Sequence, residues 1–186
     1  MKHRLGLPEA EIPVLRDRYF RQYGTTLRGL QANHQVDMGD YLAYVHDIPV
    51  REYLKPDPLL RNILESLSIQ KVILTNADAA HASRVIAALG LEGCFDSMID
   101  VYTLEPYCKP MWEAFEIALS HVGESNARRC ILIDDIPGTV RAARDFGFTS
   151  ILVDEKSSYT DGGMTLKRLA DLPQLTSIWD HIQKLS

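Results

Sequence analysis

Residues 130–135 read Cys130-Ile131-Leu132-Ile133-Asp134-Asp135, an apolar run that ends on two adjacent carboxylates. A short run without polar alternation is the pattern of a strand covered on both faces, as inside a parallel sheet. In open parallel sheets ligands gather at the carboxyl ends of the strands, where this acidic pair stands. Two other stretches share the texture: Lys71-Val72-Ile73-Leu74-Thr75 upstream and Thr149-Ser150-Ile151-Leu152-Val153-Asp154 downstream. Ser97 to Val101 reads as a weaker strand.

Helical patterns fill the intervals. Asp57-Pro58 opens a helix through Leu67, an N-cap followed by proline at the first position. Ala79 to Leu89 is amphipathic and stopped by Gly90, Pro110 to Val122 follows, and Thr139 to Phe146 is stopped by Gly147. Gly162-Gly163 marks a turn or loop, and Leu172 to Leu185 is a closing segment, helical after Pro173. Strand–helix alternation at this spacing predicts an α/β core over residues 56–186 with a parallel sheet.

The front of the chain differs. Ile12, Leu15, Tyr19 and Tyr23 recur at helical spacing and end at Gly24; Leu27 to Ala32 and Met38 to His46, with Asp37 as N-cap, are two further helices. Tyr19, Tyr23, Tyr41 and Tyr44 read as packing along helix seams. Residues 1–55 thus form a small helical module, and Lys55-Pro56-Asp57-Pro58 is its seam with the core.

With 186 residues, 46% of them hydrophobic, the chain can bury one sizeable core. A net charge of −5 without any Lys/Arg run leaves no electrostatic footprint for nucleic acid. A local basic pocket for a phosphorylated small molecule is compatible with that balance. Cys94, Cys108 and Cys130 are widely spaced thiols suited to a reducing compartment. No apolar stretch has the length of a membrane span and no signal-peptide core follows Met1, so the expectation is a cytoplasmic protein that engages no membrane.

The strand exits carry the chemistry. The first offers Thr75 and Asn76, the later one Asp134 and Asp135, and Lys109 lies between them in a Cys108-Lys109-Pro110 turn leading into a helix. A hydroxyl with backbone N–H groups holds phosphate oxygens, and an ammonium compensates their charge. Adjacent carboxylates favour a hard divalent cation, Mg²⁺ above all. Singly, each has a plain alternative: a strand end with a helix cap, a solvated lysine, an acidic turn. Their joint occurrence at strand exits favours a site.

These stretches resemble the haloacid dehalogenase superfamily over about residues 57–154: ILTNAD (73–78), ALGLEGCFD (88–96), CKP (108–110), and LIDD with AARDFGF (132–135, 142–148). The order threonine, lysine, acidic pair separates the chain from receiver domains, whose acidic cluster comes first. The helical front, with YGTTLRGLQANHQVD (23–37) and YLKPDPLLRNIL (53–64), looks like the cap of the pyrimidine 5′-nucleotidase branch. The resemblance implies a Rossmann-like parallel sheet with a small helical cap. It implies that Thr75 binds phosphate, that Lys109 steadies nucleophile and phosphoryl group, and that Asp134 and Asp135 hold Mg²⁺ as metal ligands. In the cap, Arg28, Asn33 and His34 become candidates for touching substrate, with Asn76 beside Thr75.

The family's first motif, Asp-x-Asp at the end of a central first strand, supplies the nucleophile and the acid. No Asp-x-Asp occurs in the 186 residues. Ile136-Pro137-Gly138-Thr139 also replaces the polar turn that usually follows the acidic pair. The expectation is therefore a chain that opens inside the cap and lacks the first strand. That leaves two inner strand edges unpaired. What the resemblance then implies is an inactive part of a Mg²⁺-dependent phosphatase acting on a nucleoside 5′-monophosphate. The alternative is a non-catalytic protein of the same fold that binds a phosphorylated ligand or a protein partner. A carbon–halogen hydrolase is disfavoured, because the acidic pair suits a metal that dehalogenases do not use.

Overall fold

The computed structural model describes residues 1, 5–156, 162–176 and 178–179. In chain order the helices and strands are α1 (Ile12–Tyr23), α2 (Thr26–Asn33), α3 (Met38–Val45), α4 (Val50–Tyr53), α5 (Pro58–Glu65), β1 (Val72–Leu74), α6 (Ala79–Ala88), β2 (Ser97–Ile99), α7 (Trp112–His121), β3 (Ile131–Asp134), α8 (Pro137–Phe146), β4 (Thr149–Val153) and β5 (Met164–Leu166). The expected α/β architecture is present. Several helix starts follow their caps: Asp37 accepts from Asp40 N, Asp57 from Leu60 N and Asp78 from His81 N.

The strands form two parallel sheets. β1 pairs with β2, Val72 opposite Ser97 and Leu74 opposite Ile99. β3 pairs with β4, and β4 with β5, so β4 is enclosed on both edges. β5 falls just beyond Gly162-Gly163, where the sequence suggests only a loop; Met164-Thr165-Leu166 is too short for alternation to announce it. A short 3₁₀ turn, Leu169–Gln174, stands where the closing helix begins in the sequence reading, and much of the rest of that segment lies outside the described residues. α8 begins two residues earlier than expected because Pro137 takes a first-turn position, where its missing N–H costs nothing.

Both faces of β3 are covered, as its unbroken apolar sequence requires. On one face Leu132 joins Phe115, Leu119, Ala127, Ala143 and Phe148, which bring α7 and α8 onto the strand. On the other, Ile131 and Ile133 pack with Ile151, Leu166 and Leu172. Among the described residues no helix is long and apolar enough to cross a membrane.

The helical front is tied to the α/β part by Arg28. This arginine is buried, and its Nη2 donates to the carbonyls of Val101 at 3.2 Å and Tyr107 at 3.0 Å. Tyr19, also buried, packs where α1 crosses α2: a Cβ on Gly29 would sit 2.3 Å from its ring, so only glycine permits that crossing. Tyr44, by contrast, faces solvent rather than a seam.

Candidate active site

The exits of β1 and β3 meet at Lys109. The Asn76 side chain clamps the lysine's backbone, its Oδ1 accepting from Lys109 N at 2.9 Å and its Nδ2 donating to Lys109 O at 3.0 Å. Lys109 Nζ then reaches Asp134 Oδ2 at 2.6 Å, with both side chains largely withdrawn from solvent. Asp134 Oδ1 accepts from Ile136 N at 2.8 Å, which turns the chain into α8. Thr75 Oγ1 accepts from Ala77 N at 3.0 Å, so its hydroxyl proton is left to donate elsewhere. Asp135 is exposed beside Asp134.

Convergence of these exits on one lysine means that β1 and β3 end on the same side of the molecule. Along their lengths they do not pair. Lys71 O accepts from Asp96 N and Thr75 N donates to Ile99 O, so by alternation the N–H and C=O groups of Val72 and Leu74 point away from β2. Cys130 O accepts from Thr149 N, so those of Ile131 and Ile133 point away from β4. Between the two edges lies a cavity of about 390 Å³ whose lining includes Val72, Leu74, Ile131, Ile133, Lys109 and Asp134. Its walls between the strands are mostly apolar, with Lys109 and Asp134 at the strand exits and Glu124, Arg128 and Arg129 also in the lining.

The other expected substrate contacts have protein partners. Asn76 positions the Lys109 turn. Arg28 spends its guanidinium on the loop before Lys109, with Glu105 3.5 Å from Nη1 and Gln31 accepting at 2.8 Å. His34 Nε2 is paired with the Tyr19 hydroxyl at 3.0 Å, inside the helical front. Asn33 donates to Gly29 O at 2.8 Å and to the Tyr23 hydroxyl. The structure therefore brings Thr75, Asn76, Lys109 and Asp134 together, and pairs Arg28, Asn33 and His34 with other protein groups.

Two features were not visible in the sequence reading. Gly24, with φ of +80°, lies so close to the lysine turn that a Cβ there would stand 2.9 Å from Cys108 Sγ and 3.1 Å from Lys109 O. Burial pushes the Cys108 thiol up from its ordinary value, against smaller opposing effects of Thr25 and Arg28, so it acts as packing. The second is a contact of His46 with Asp78 and His81. The Asp78-x-x-His81 spacing is legible, but nothing local announces a partner 32 positions upstream.

Asp134 and Asp135 are the oxygen donors a Mg²⁺ ion would meet. Among the described residues no group of three His, Cys, Asp or Glu side chains is arranged to hold a metal ion. Mg²⁺ is commonly held by one or two carboxylates, with water and phosphate completing its shell, so the pair fits as part of such a shell.

A protein-family model of haloacid dehalogenase-like hydrolases matches residues 7–147. The chain belongs to this family. Phosphate metabolism protein 8 of Saccharomyces cerevisiae is 31% identical over 165 residues, which is 81% of this chain and 51% of that protein. The chain thus spans about half the length of this curated relative. Among solved structures, L-2-haloacid dehalogenase from Xanthobacter autotrophicus superposes with a TM-score of 0.61 at 17% identity, over 90% of this chain and 82% of that one. A HAD phosphatase from Thermococcus onnurineus gives 0.56 at 15%, over 90% and 88%. The HAD-hydrolase YfnB of Bacillus subtilis, solved bound to magnesium, gives 0.55 at 16%, over 64% and 52%. At such identities these structures establish the haloacid dehalogenase-like fold alone.

Proposed function

We propose that this chain carries the phosphate-holding part of a Mg²⁺-dependent phosphomonoesterase acting on a nucleoside 5′-monophosphate. The observation that carries this reading is the lysine corner: Asn76 fixes the backbone of Lys109 while its ammonium sits on Asp134 across two strand exits. In this reading the Thr75 hydroxyl and the N–H groups after it bind phosphate oxygens, and Lys109 offsets their charge. Asp134 and Asp135 hold Mg²⁺, which when bound supplies further charge neutralisation for phosphoryl transfer. The nucleotide preference rests on the likeness of the helical front to the pyrimidine 5′-nucleotidase branch. The name of the yeast relative, a phosphate metabolism protein, agrees with phosphate chemistry.

The nucleophile is not among these residues. The slot between β1 and β3 suits an extended apolar segment pairing with both edges and ending at Lys109, which is where an attacking carboxylate belongs. With Mg²⁺ and p-nitrophenyl phosphate the 186-residue chain is therefore expected to show no turnover above background. Clear turnover abolished by Asp134→Asn would refute the missing nucleophile. Calorimetric titration with uridine or cytidine 5′-monophosphate and Mg²⁺ tests the phosphate site: binding should weaken by about tenfold or more in Lys109→Ala. No binding to either nucleotide by the wild type would sink the reading. The missing Asp-x-Asp favours one second reading, a non-catalytic ligand-binding protein. The genomic frame upstream of Met1 discriminates: an apolar strand followed by Asp-x-Asp supports the enzyme, and an in-frame stop without one supports the binder.

A further inference from the structure

Outside the lysine corner, a cluster of titratable side chains joins the α3–α4 turn to the start of α6. Asp78 caps α6, its Oδ1 accepting from His81 N at 2.7 Å, while its Oδ2 is hydrogen-bonded to His46 Nδ1. The rings of His46 and His81 stack, centroids 4.1 Å apart and planes 14° from parallel. Arg84 Nη2, one turn along α6, donates to His46 O at 2.9 Å. His81 Nδ1 is buried without a hydrogen-bond partner among the described residues. We propose that His46, Asp78 and His81 form an acid-sensitive latch, which holds the helical front on α6 at neutral pH and releases it when His81 is protonated.

The geometry gives the direction. An imidazolium carries a proton on both ring nitrogens, so a charged His81 necessarily presents a donor at a buried nitrogen that has no acceptor. It also sets a positive charge against the His46 ring and near Arg84. Asp78 opposes this, but both its oxygens are already engaged. The other acids nearby do not take over. Asp100 accepts from Ala79 N and from Thr103, and Asp47 lines the open groove beside the cluster. α4, which also packs on α6, carries Arg51 and Glu52, both exposed.

Burial first, then the charges of His46 and Arg84, hold the His81 imidazole below its ordinary range, with Asp78 pulling the other way. A lowered histidine contributes stability that is fully present above the free-imidazole value of about 6.5 and is lost as pH falls from there through the lowered folded-state value. Burial raises the Asp78 carboxyl, but hydrogen bonds from His81 N–H and His46, with the His46 charge, outweigh that and hold it low. Its contribution therefore fails only in stronger acid, below about pH 4. The mild-acid window belongs to His81.

Hydrogen exchange tests this on the 186-residue chain. Between about pH 7.5 and about pH 5.5, corrected for intrinsic rates, protection of the α3 and α4 amides should fall by roughly tenfold relative to β4 amides. His81→Phe keeps a ring against His46 but cannot titrate; it should retain the neutral-pH protection and flatten the pH dependence. A flat wild-type profile overturns the latch, and so does a His81→Phe profile that follows the wild type. Should His81→Phe fail to fold, His81→Gln is read in the same way. The proton resonances of His81 give a measure free of substitution: an imidazole titrating at or above the free value overturns the proposal.

Discussion

The mouth of the β1–β3 slot and its walls are built from the same two strands, yet they are in opposite states. At the mouth, side chains span the gap: Asn76 holds the Lys109 turn and Lys109 holds Asp134. Along the walls, the backbone groups of Val72, Leu74, Ile131 and Ile133 face the slot rather than a neighbouring strand. Charged groups with good partners can fix a local geometry without a continuous ladder beneath them. A sheet interior cannot do the converse, because each open edge leaves donors and acceptors that need partners. The lysine corner is thus preassembled while the sheet that carries it stays divided.

The largest test of that contrast removes the tie across the mouth. Lys109→Ala strips the counter-charge from Asp134, a carboxylate only 7% exposed, and should cost about 3–5 kcal/mol in urea unfolding. Lys109→Met combined with Asp134→Leu should recover much of the loss, since a shielded pair is often replaceable by apolar groups of similar size. A single-variant cost below about 1 kcal/mol would mean that the ion pair is no more than a surface contact. Next comes Gly24→Ala, which forces a side chain into left-handed backbone at φ +80° and pushes it against Cys108 and the Lys109 carbonyl. A loss of about 2–3 kcal/mol is expected, and a neutral result would show that the helical front does not set the lysine turn.

The walls are tested by exchange. Amides of Leu74 and Ile133, facing the slot, should exchange at least roughly tenfold faster than those of Ile151 and Leu152 in β4, which is paired on both edges. Equal protection would mean that the slot is closed in solution. Addition of an apolar strand-forming peptide ending in Asp-x-Asp should slow the slot-facing amides and leave β4 unchanged.

What the sequence made legible follows from how local each signal is. The runs at 71–75, 130–134 and 149–154 announced their strands because burial on both faces leaves continuous apolar residues. Thr75, Lys109 and Asp134 were readable because strand exits are places, and chain order located them. β5 was not, since three residues carry too little pattern. α4 was hidden for the same reason, as Val50-Arg51-Glu52-Tyr53 makes a single turn. The role of Arg28 depends on carbonyls 73 and 79 positions away, and His46 on a carboxylate 32 away. Residue type alone cannot tell a guanidinium that binds substrate from one that staples a helix to a loop.

The smallest effect separates positioning from binding at the mouth. Among the described residues the Asn76 side chain hydrogen-bonds only the backbone of Lys109, donating once and accepting once. Net hydrogen bonds of this sort contribute about 1 kcal/mol each, and Asn76→Ala removes both, so a loss of about 1–2 kcal/mol is expected. Asn76→Asp keeps the acceptor for Lys109 N–H but replaces the donor with an oxygen facing Lys109 O, so it should not be the milder change despite its closer shape. If Asn76 instead bound substrate alone, both variants would leave urea midpoints unchanged and shift only nucleotide affinity. A stability loss larger for Asp than for Ala ties the residue to the lysine turn.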